Sequence, residues 1–199
     1  MKNISKATIV ILMAVATAGI AQAESGTFWE FTGGLWAVPD ADGFQVHTPG
    51  IWYEEYDSSV AFAANAKFGY AFDMESAVAD VAGIAGIYAG PIVGLTLGAD
   101  TSYRFKFSEK GGFTIGPHLG VNFYTMPTWI GDYDDYVDFD GTIGGVLGVK
   151  ATFGSRKVRG VLTIDYVAAK FDASPSSGGY PSESELDMGG FLIQGGIQF

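Results

Sequence analysis

The sequence predicts an all-β protein, an eight-stranded antiparallel up-and-down transmembrane β-barrel. Three observations predict it. Apolar residues recur at every second position through seven segments, each long enough to cross a membrane obliquely. The chain is 48% hydrophobic and only 17% charged, whereas soluble domains carry roughly 25% charged residues. The connections between segments alternate between short and long, as they do when strands run up and down around a barrel.

The chain opens with Lys2 and Lys6, an apolar run from Ala7 to Ala21, and the small-x-small triplet Ala21-Gln22-Ala23. This order reads as a secretory signal peptide over residues 1–23. An uncleaved anchor helix is the alternative, but the run is shorter than the ~20 residues of a helical span. Cleavage after Ala23 would leave residues 24–199 as one barrel domain with 9 basic and 22 acidic residues. Such a balance excludes nucleic-acid binding, since no basic face exists to neutralise phosphates. The absence of cysteine excludes a disulfide scaffold and a thiolate metal site.

From Gly26 to Val38, the positions Phe28, Glu30, Thr32, Gly34 and Trp36 alternate with Trp29, Phe31, Gly33, Leu35 and Ala37, which is a period of two and hence a strand. Residues 58–72 repeat it, with Val60, Phe62, Ala64, Ala66, Phe68 and Tyr70 opposed to Ala61, Ala63, Asn65, Lys67 and Gly69. In residues 93–107, Val93, Leu95, Leu97, Ala99, Tyr103 and Phe105 oppose Gly94, Thr96, Gly98, Asp100, Arg104 and Lys106. Residues 113–126, 141–153, 158–171 and 187–199 behave alike.

Up-and-down parity needs one more strand, and only residues 76–88 can supply it. Residues 81–99 carry no charge, and Gly86, Gly90, Gly94 and Gly98 recur at every fourth position, a spacing that also occurs in packed transmembrane helices. Pro91 and the density of glycine disfavour a helix, and Ala89-Gly90-Pro91 suits a tight turn between two strands. The short connections are Ser108 to Gly112 and Gly154 to Lys157, and the long ones are residues 39–57, 127–140 and 172–186.

Alternation alone does not say which face is outside. A soluble barrel needs a charged outer surface, but the polar faces here are mostly Gly, Ala, Ser and Thr with few charges. Small residues suit the narrow interior of eight strands, so the apolar face is expected to meet lipid. In the last strand Phe191, Ile193, Gly195, Ile197 and Phe199 alternate with Leu192, Gln194, Gly196 and Gln198, and the chain stops on phenylalanine. This ending resembles the C-terminal insertion signal of Gram-negative outer-membrane proteins, carried by Phe191, Ile193, Ile197 and Phe199. By that resemblance the chain is similar to small eight-stranded outer-membrane barrels of the OmpA, OmpW or PagL kind. The resemblance implies an outer-membrane location, lipid and lipopolysaccharide as surroundings, recognition by the barrel-insertion machinery and a monomeric state.

The alternation points Glu30, Lys67, Asp100, Arg104, Lys106, Lys150, Arg159 and Asp165 inward, together with Asn65, His118, Asn122, Gln194 and Gln198. Buried charges need partners, so Glu30 is expected beside Lys67 and Asp165 beside Arg159. Such a network plugs the lumen and sets register; a small channel for ions or hydrophobic solutes is the alternative, and it requires the pairs to rearrange.

Small barrels of this class include lipid A deacylases, whose motif is His-x-Ser-Asn on a late strand. Here His118-Leu119-Gly120-Val121-Asn122 offers the histidine, but Gly120 stands where the nucleophilic serine belongs. Acyl transfer by that route lacks its hydroxyl, so no enzymatic activity and no catalytic residue is expected, and His118 reads as an interior histidine. His47 stands alone in the first long connection. The long connections are acidic: Asp40, Asp42, Glu54, Glu55 and Asp57, then Asp132, Asp134, Asp135, Asp138 and Asp140, then Asp172, Glu183 and Glu185, with no lysine or arginine among them. The short turns carry Lys110, Arg156 and Lys157. Hard carboxylate oxygens favour Ca²⁺ or Mg²⁺, so the stretch from Asp132 to Asp140 is a candidate divalent-cation site, although it lacks the order of an EF-hand loop. The aromatics among these acids, Trp52, Tyr53, Trp129, Tyr133 and Tyr136, fit an interfacial girdle. The expected role is therefore structural, or a cation-bridged or adhesive surface.

Overall fold

The computed structural model describes residues 25–39, 45–48, 51–55, 60–90, 93–107, 112–125, 137–154, 158–175, 180–181 and 185–199. Along the chain the strands are β1 (Gly26–Ala37), β2 (Gln45–Thr48), β3 (Ile51–Glu55), β4 (Val60–Asp73), β5 (Ala77–Ala89), β6 (Val93–Lys106) and β7 (Phe113–Thr125). They continue with β8 (Val137–Phe139), β9 (Thr142–Gly154), β10 (Arg159–Ala168), β11 (Lys170–Pro175), β12 (Tyr180–Pro181), β13 (Glu185–Asp187) and β14 (Gly190–Gln198). The eight long strands β1, β4, β5, β6, β7, β9, β10 and β14 form a closed antiparallel barrel in chain order, and β14 returns to pair with β1. The stretch that admitted a helix is β5, paired on both edges with β4 and β6.

Closure follows from the period-two pattern, because every strand presents one face of large apolar groups and one of small or polar groups. The first face is outside: Leu35, Phe62, Ile87, Leu97, Val121, Ile143, Leu147, Ile164, Phe191 and Ile193 are all exposed. The second face lines the lumen, where the eight strands leave room for little beyond side chains. Glycine makes that room. Most of the bulky inward residues lie opposite a glycine on the next strand: Phe28 opposite Gly69, Asn65 opposite Gly86, Tyr88 opposite Gly94, Asn122 opposite Gly98, Lys150 opposite Gly116 and Asp165 opposite Gly148. A Cβ on Gly98 would lie 2.8 Å from Asn122 Cα, and one on Gly148 would lie 2.6 Å from Asp165 Cα. The recurrence Gly86, Gly94, Gly98 is thus a set of hollows in the barrel wall.

The long connections carry short strands. β2 pairs with β3 and β12, while β11 pairs with β8 and β13. Each of β8, β11 and β13 adjoins a barrel strand, so the wall extends past the rim along β9, β10 and β14. On this extension the polarity of the wall inverts. Lys170, Asp172 and Ser174 face out, while Phe171, Ala173 and Leu186 are buried.

Candidate functional site

The lumen is the candidate site, and it has two layers. The lower layer, toward the short turns, holds eight buried charged side chains: Glu30, Asp80, Asp100 and Asp165 against Lys67, Arg104, Lys150 and His118. β1 and β4 hold Glu30 and Lys67 directly opposite each other, with Lys67 Nζ 3.5 Å from Glu30 Oε1 and paired also with Asp100. Lys150 Nζ lies 2.7 Å from Glu30 Oε2 and 3.6 Å from Asp80 Oδ2, and its charge stands 5.5 Å from the centre of the Phe28 ring. Arg104 pairs with Asp80 and donates to Thr152 Oγ1 at 3.1 Å. Ser102 Oγ donates to Asp80 at 2.9 Å, and Gln198 Nε2 donates to Glu30 at 3.2 Å.

His118 lies between two carboxylates, with Nε2 2.9 Å from Asp100 Oδ2 and Nδ1 2.8 Å from Asp165 Oδ1. Each ring nitrogen thus faces one carboxylate oxygen, and an ionised carboxylate there accepts a hydrogen from the nitrogen it faces. Four carboxylates thus lie among two lysines, an arginine and a histidine, and such pairing is the condition under which so many ionisable groups persist away from water. Ser102 is the residue directly across from His118, yet its hydroxyl is turned to Asp80 and Nε2 is already taken by Asp100. Among the described residues, both ring nitrogens of His118 thus face carboxylates and neither bonds a hydroxyl.

The upper layer is apolar. Trp36, Tyr88 and Tyr124 pack ring against ring, with centroids 5.8–6.0 Å apart. Val38, Val167, Phe171, Leu186, Met188 and Leu192 complete a buried cluster with them at the loop end. Asn122 Nδ2 donates to Tyr124 OH at 3.1 Å and so joins the two layers. A void of about 20 Å³ lies at their junction, lined by Asn65, Lys67, Asp100, His118, Asn122 and Gln194 among others. At the turn end a mouth of about 180 Å³ is lined by Phe28, Asp73, Arg159, Gln198 and Phe199.

The inward set read from alternation is largely brought together here. Glu30, Lys67, Asp100, Arg104, His118, Lys150 and Asp165 form the network. Two placements differ. Asp165 is bonded by His118, while Arg159 lies six residues along the same strand, about 20 Å away at ~3.3 Å per residue, and sits at the mouth. Lys106 also belongs to the mouth, where it pairs with Asp73 and donates to Met74 O. Sequence reasoning missed Asp80, which holds Arg104, Lys150 and Ser102. Its signal was its even position in residues 76–88, which share a face with Val78, Ala82 and Ile84 once that segment is taken as a strand.

Of the candidate cation ligands, Asp132, Asp134 and Asp135 lie outside the described residues, as do Asp40, Asp42, Asp57, Glu183, Lys110, Arg156 and Lys157. Asp138 is opposite Ser174 in the β8 to β11 pairing, and Asp140 is exposed, its backbone N–H donating to Asp172 O at 3.0 Å. Among the described residues no group of three or more His, Asp or Glu side chains is arranged to hold a metal ion. Phe191, Ile193, Ile197 and Phe199 all face out, and Phe199 exchanges backbone bonds with Trp29 at 2.8 and 2.9 Å where the barrel closes. No protein-family model matches the chain, and no curated protein matches it.

Proposed function

We propose that the chain is a non-enzymatic outer-membrane barrel with a closed lumen, whose role is to stand in the membrane and present acidic loops at the cell surface. The observation that carries this reading is the reversed polarity of the barrel, with eight ionisable side chains buried inside and 28 large hydrophobic side chains exposed outside among the described residues. Each of those side chains is 39–67% exposed, so leaving water gains it roughly half of the 1.5–3 kcal/mol of full burial, and soluble monomers rarely expose contiguous apolar patches beyond a few hundred Å². Lipid removes that cost. The inversion at Lys170, Asp172 and Ser174 fits a wall that has left the hydrocarbon, and the leader over residues 1–23 fits export followed by capture through the C-terminal signal. The buried aromatic cap of Trp36, Tyr88, Tyr124 and Phe171 supports a sealed barrel over the alternative of a small channel. The occupied ring nitrogens of His118 and the glycine at position 120 likewise support a structural role over lipid A modification.

The test is reconstitution of the mature chain into phospholipid vesicles and planar bilayers. Heat-shifted migration on gels and resistance of the barrel to protease are expected, with no discrete conductance. A chain that stays in the soluble fraction sinks the membrane reading, and regular conductance steps sink the sealed lumen. A surface role through divalent cations is favoured by one observation: the bond from Asp140 to Asp172 draws two acidic connections side by side. Saturable Ca²⁺ binding followed by tryptophan fluorescence, and its loss in Asp134→Asn and Asp138→Asn, tests it.

A further inference from the structure

The void at the junction of the two layers has a chemical character that goes beyond a packing gap and does not depend on what surrounds the barrel. Three polar atoms on residues that line it make no hydrogen bond among the described residues: Asp100 Oδ1, Asn122 Oδ1 and Gln194 Nε2. All three side chains are buried. In the structure Asn65 Nδ2 donates to Gln194 Oε1 at 3.2 Å and Asn122 Nδ2 donates to Tyr124 OH at 3.1 Å. What remains is one donor and two acceptors on residues that line a space of about 20 Å³. A water needs some 10–15 Å³ measured this way and typically makes about three hydrogen bonds in a protein interior.

We infer that the void is the binding site of a single internal water, which donates to Asp100 Oδ1 and Asn122 Oδ1 and accepts from Gln194 Nε2. The stoichiometry is complete, with two hydrogens for two acceptors and a lone pair for the one donor. A metal cation fits the same space poorly, because Gln194 Nε2 presents hydrogens to it and Lys67 and His118 line the same wall. The water extends the chain of bonds running from Lys67 through Asp100 on to Asn122 and Tyr124, and so ties the ionic layer to the aromatic cap.

Gly120 gives the test a sharp sign. It lines the void, and a Cβ built on it would meet nothing closer than 3.4 Å. Gly120→Ala therefore fits without strain and takes the space the water needs. Filling a dry cavity in a strand stabilises, whereas displacing this water leaves buried polar atoms unpaired. The expected result is a lower urea midpoint for Gly120→Ala in detergent, with the folding equilibrium constant reduced roughly tenfold. Crystals of the unaltered protein should show one ordered solvent peak within hydrogen-bond reach of the three atoms. A raised midpoint, an empty void, or a rubidium anomalous peak at that position after soaking overturns the inference. The density of the unaltered protein decides the question even where the variant does not fold.

Discussion

Lys150 is the most informative single perturbation of the barrel interior. Its ammonium is fully buried and stands 2.7 Å from Glu30 Oε2 and 3.6 Å from Asp80 Oδ2. At an effective dielectric of about 20, the shorter contact corresponds to roughly 6 kcal/mol of attraction before desolvation is counted. Lys150→Met preserves much of the side-chain length and removes the charge, so the buried layer is left with an unbalanced negative charge. Breaking a buried pair from one side costs about 3–5 kcal/mol. With a urea dependence of about 2 kcal/mol per M, the midpoint should fall by roughly 2 M. The assay is equilibrium unfolding of the vesicle-inserted or detergent-folded barrel, followed by tryptophan fluorescence. The companion variant Glu30→Gln/Lys150→Met restores neutrality, since Asp80 keeps Arg104 and Lys67 keeps Asp100. It should recover about 1–3 kcal/mol relative to the sum of the single costs. A cost for Lys150→Met below about 1 kcal/mol, the range of an exposed pair, would refute the reasoning, and so would strict additivity of the two changes.

His118→Leu should lower stability by about 3 kcal/mol, because it leaves the Asp100 and Asp165 oxygens without their shared donor; lipid A acyl patterns measured by mass spectrometry should be the same with the native chain, this variant or an empty vector. Gly148→Ala and Gly195→Ala form a matched pair: the first places a methyl against Asp165 and should lower the urea midpoint by about 1–3 kcal/mol equivalent, while the second, with nothing within 4 Å, should leave it unchanged or raise it by about 0.4–1 kcal/mol. Deletion of Phe199 should sharply reduce heat-modifiable barrel in cells, yet the same chain refolded from urea in detergent should still close, since the losses are confined to the terminal pair with Trp29 and the ring contact with Phe31; equal yield in cells would remove the role assigned to Phe199.

The strands were legible because alternation is a local property, and parity supplied the eighth, β5, whose own pattern is weakened by small residues such as Ala79, Gly83 and Ala85. The inward set was legible for the same reason, down to the pairing of Glu30 with Lys67, which adjacent strands hold opposite each other. The pairing of Asp165 was not. Its partner His118 stands two strands away, across β9, and contacts through the lumen depend on the closure of the barrel. Asp80 was missed because the face of a strand cannot be assigned before the strand itself is. The aromatic cap was missed because Trp36, Tyr88 and Tyr124 share the inward parity of the polar residues, and composition by face averages the two layers together.

The hollows in the barrel wall also bear on how the chain avoids closing wrongly. A slip of one residue between neighbours turns every side chain to the other face and is forbidden by polarity alone. A slip of two preserves polarity, and it is the error that a barrel with uniform small-residue walls would make. Here it would set Asn122 against Thr96 or Asp100 in place of Gly98, and Asp165 against Val146 or Lys150 in place of Gly148. Larger side chains would then face one another in a lumen with little spare volume. The glycines thus act like the notches of a key, spaced irregularly along successive strands, so that one stagger of the eight strands closes and its nearest competitors do not.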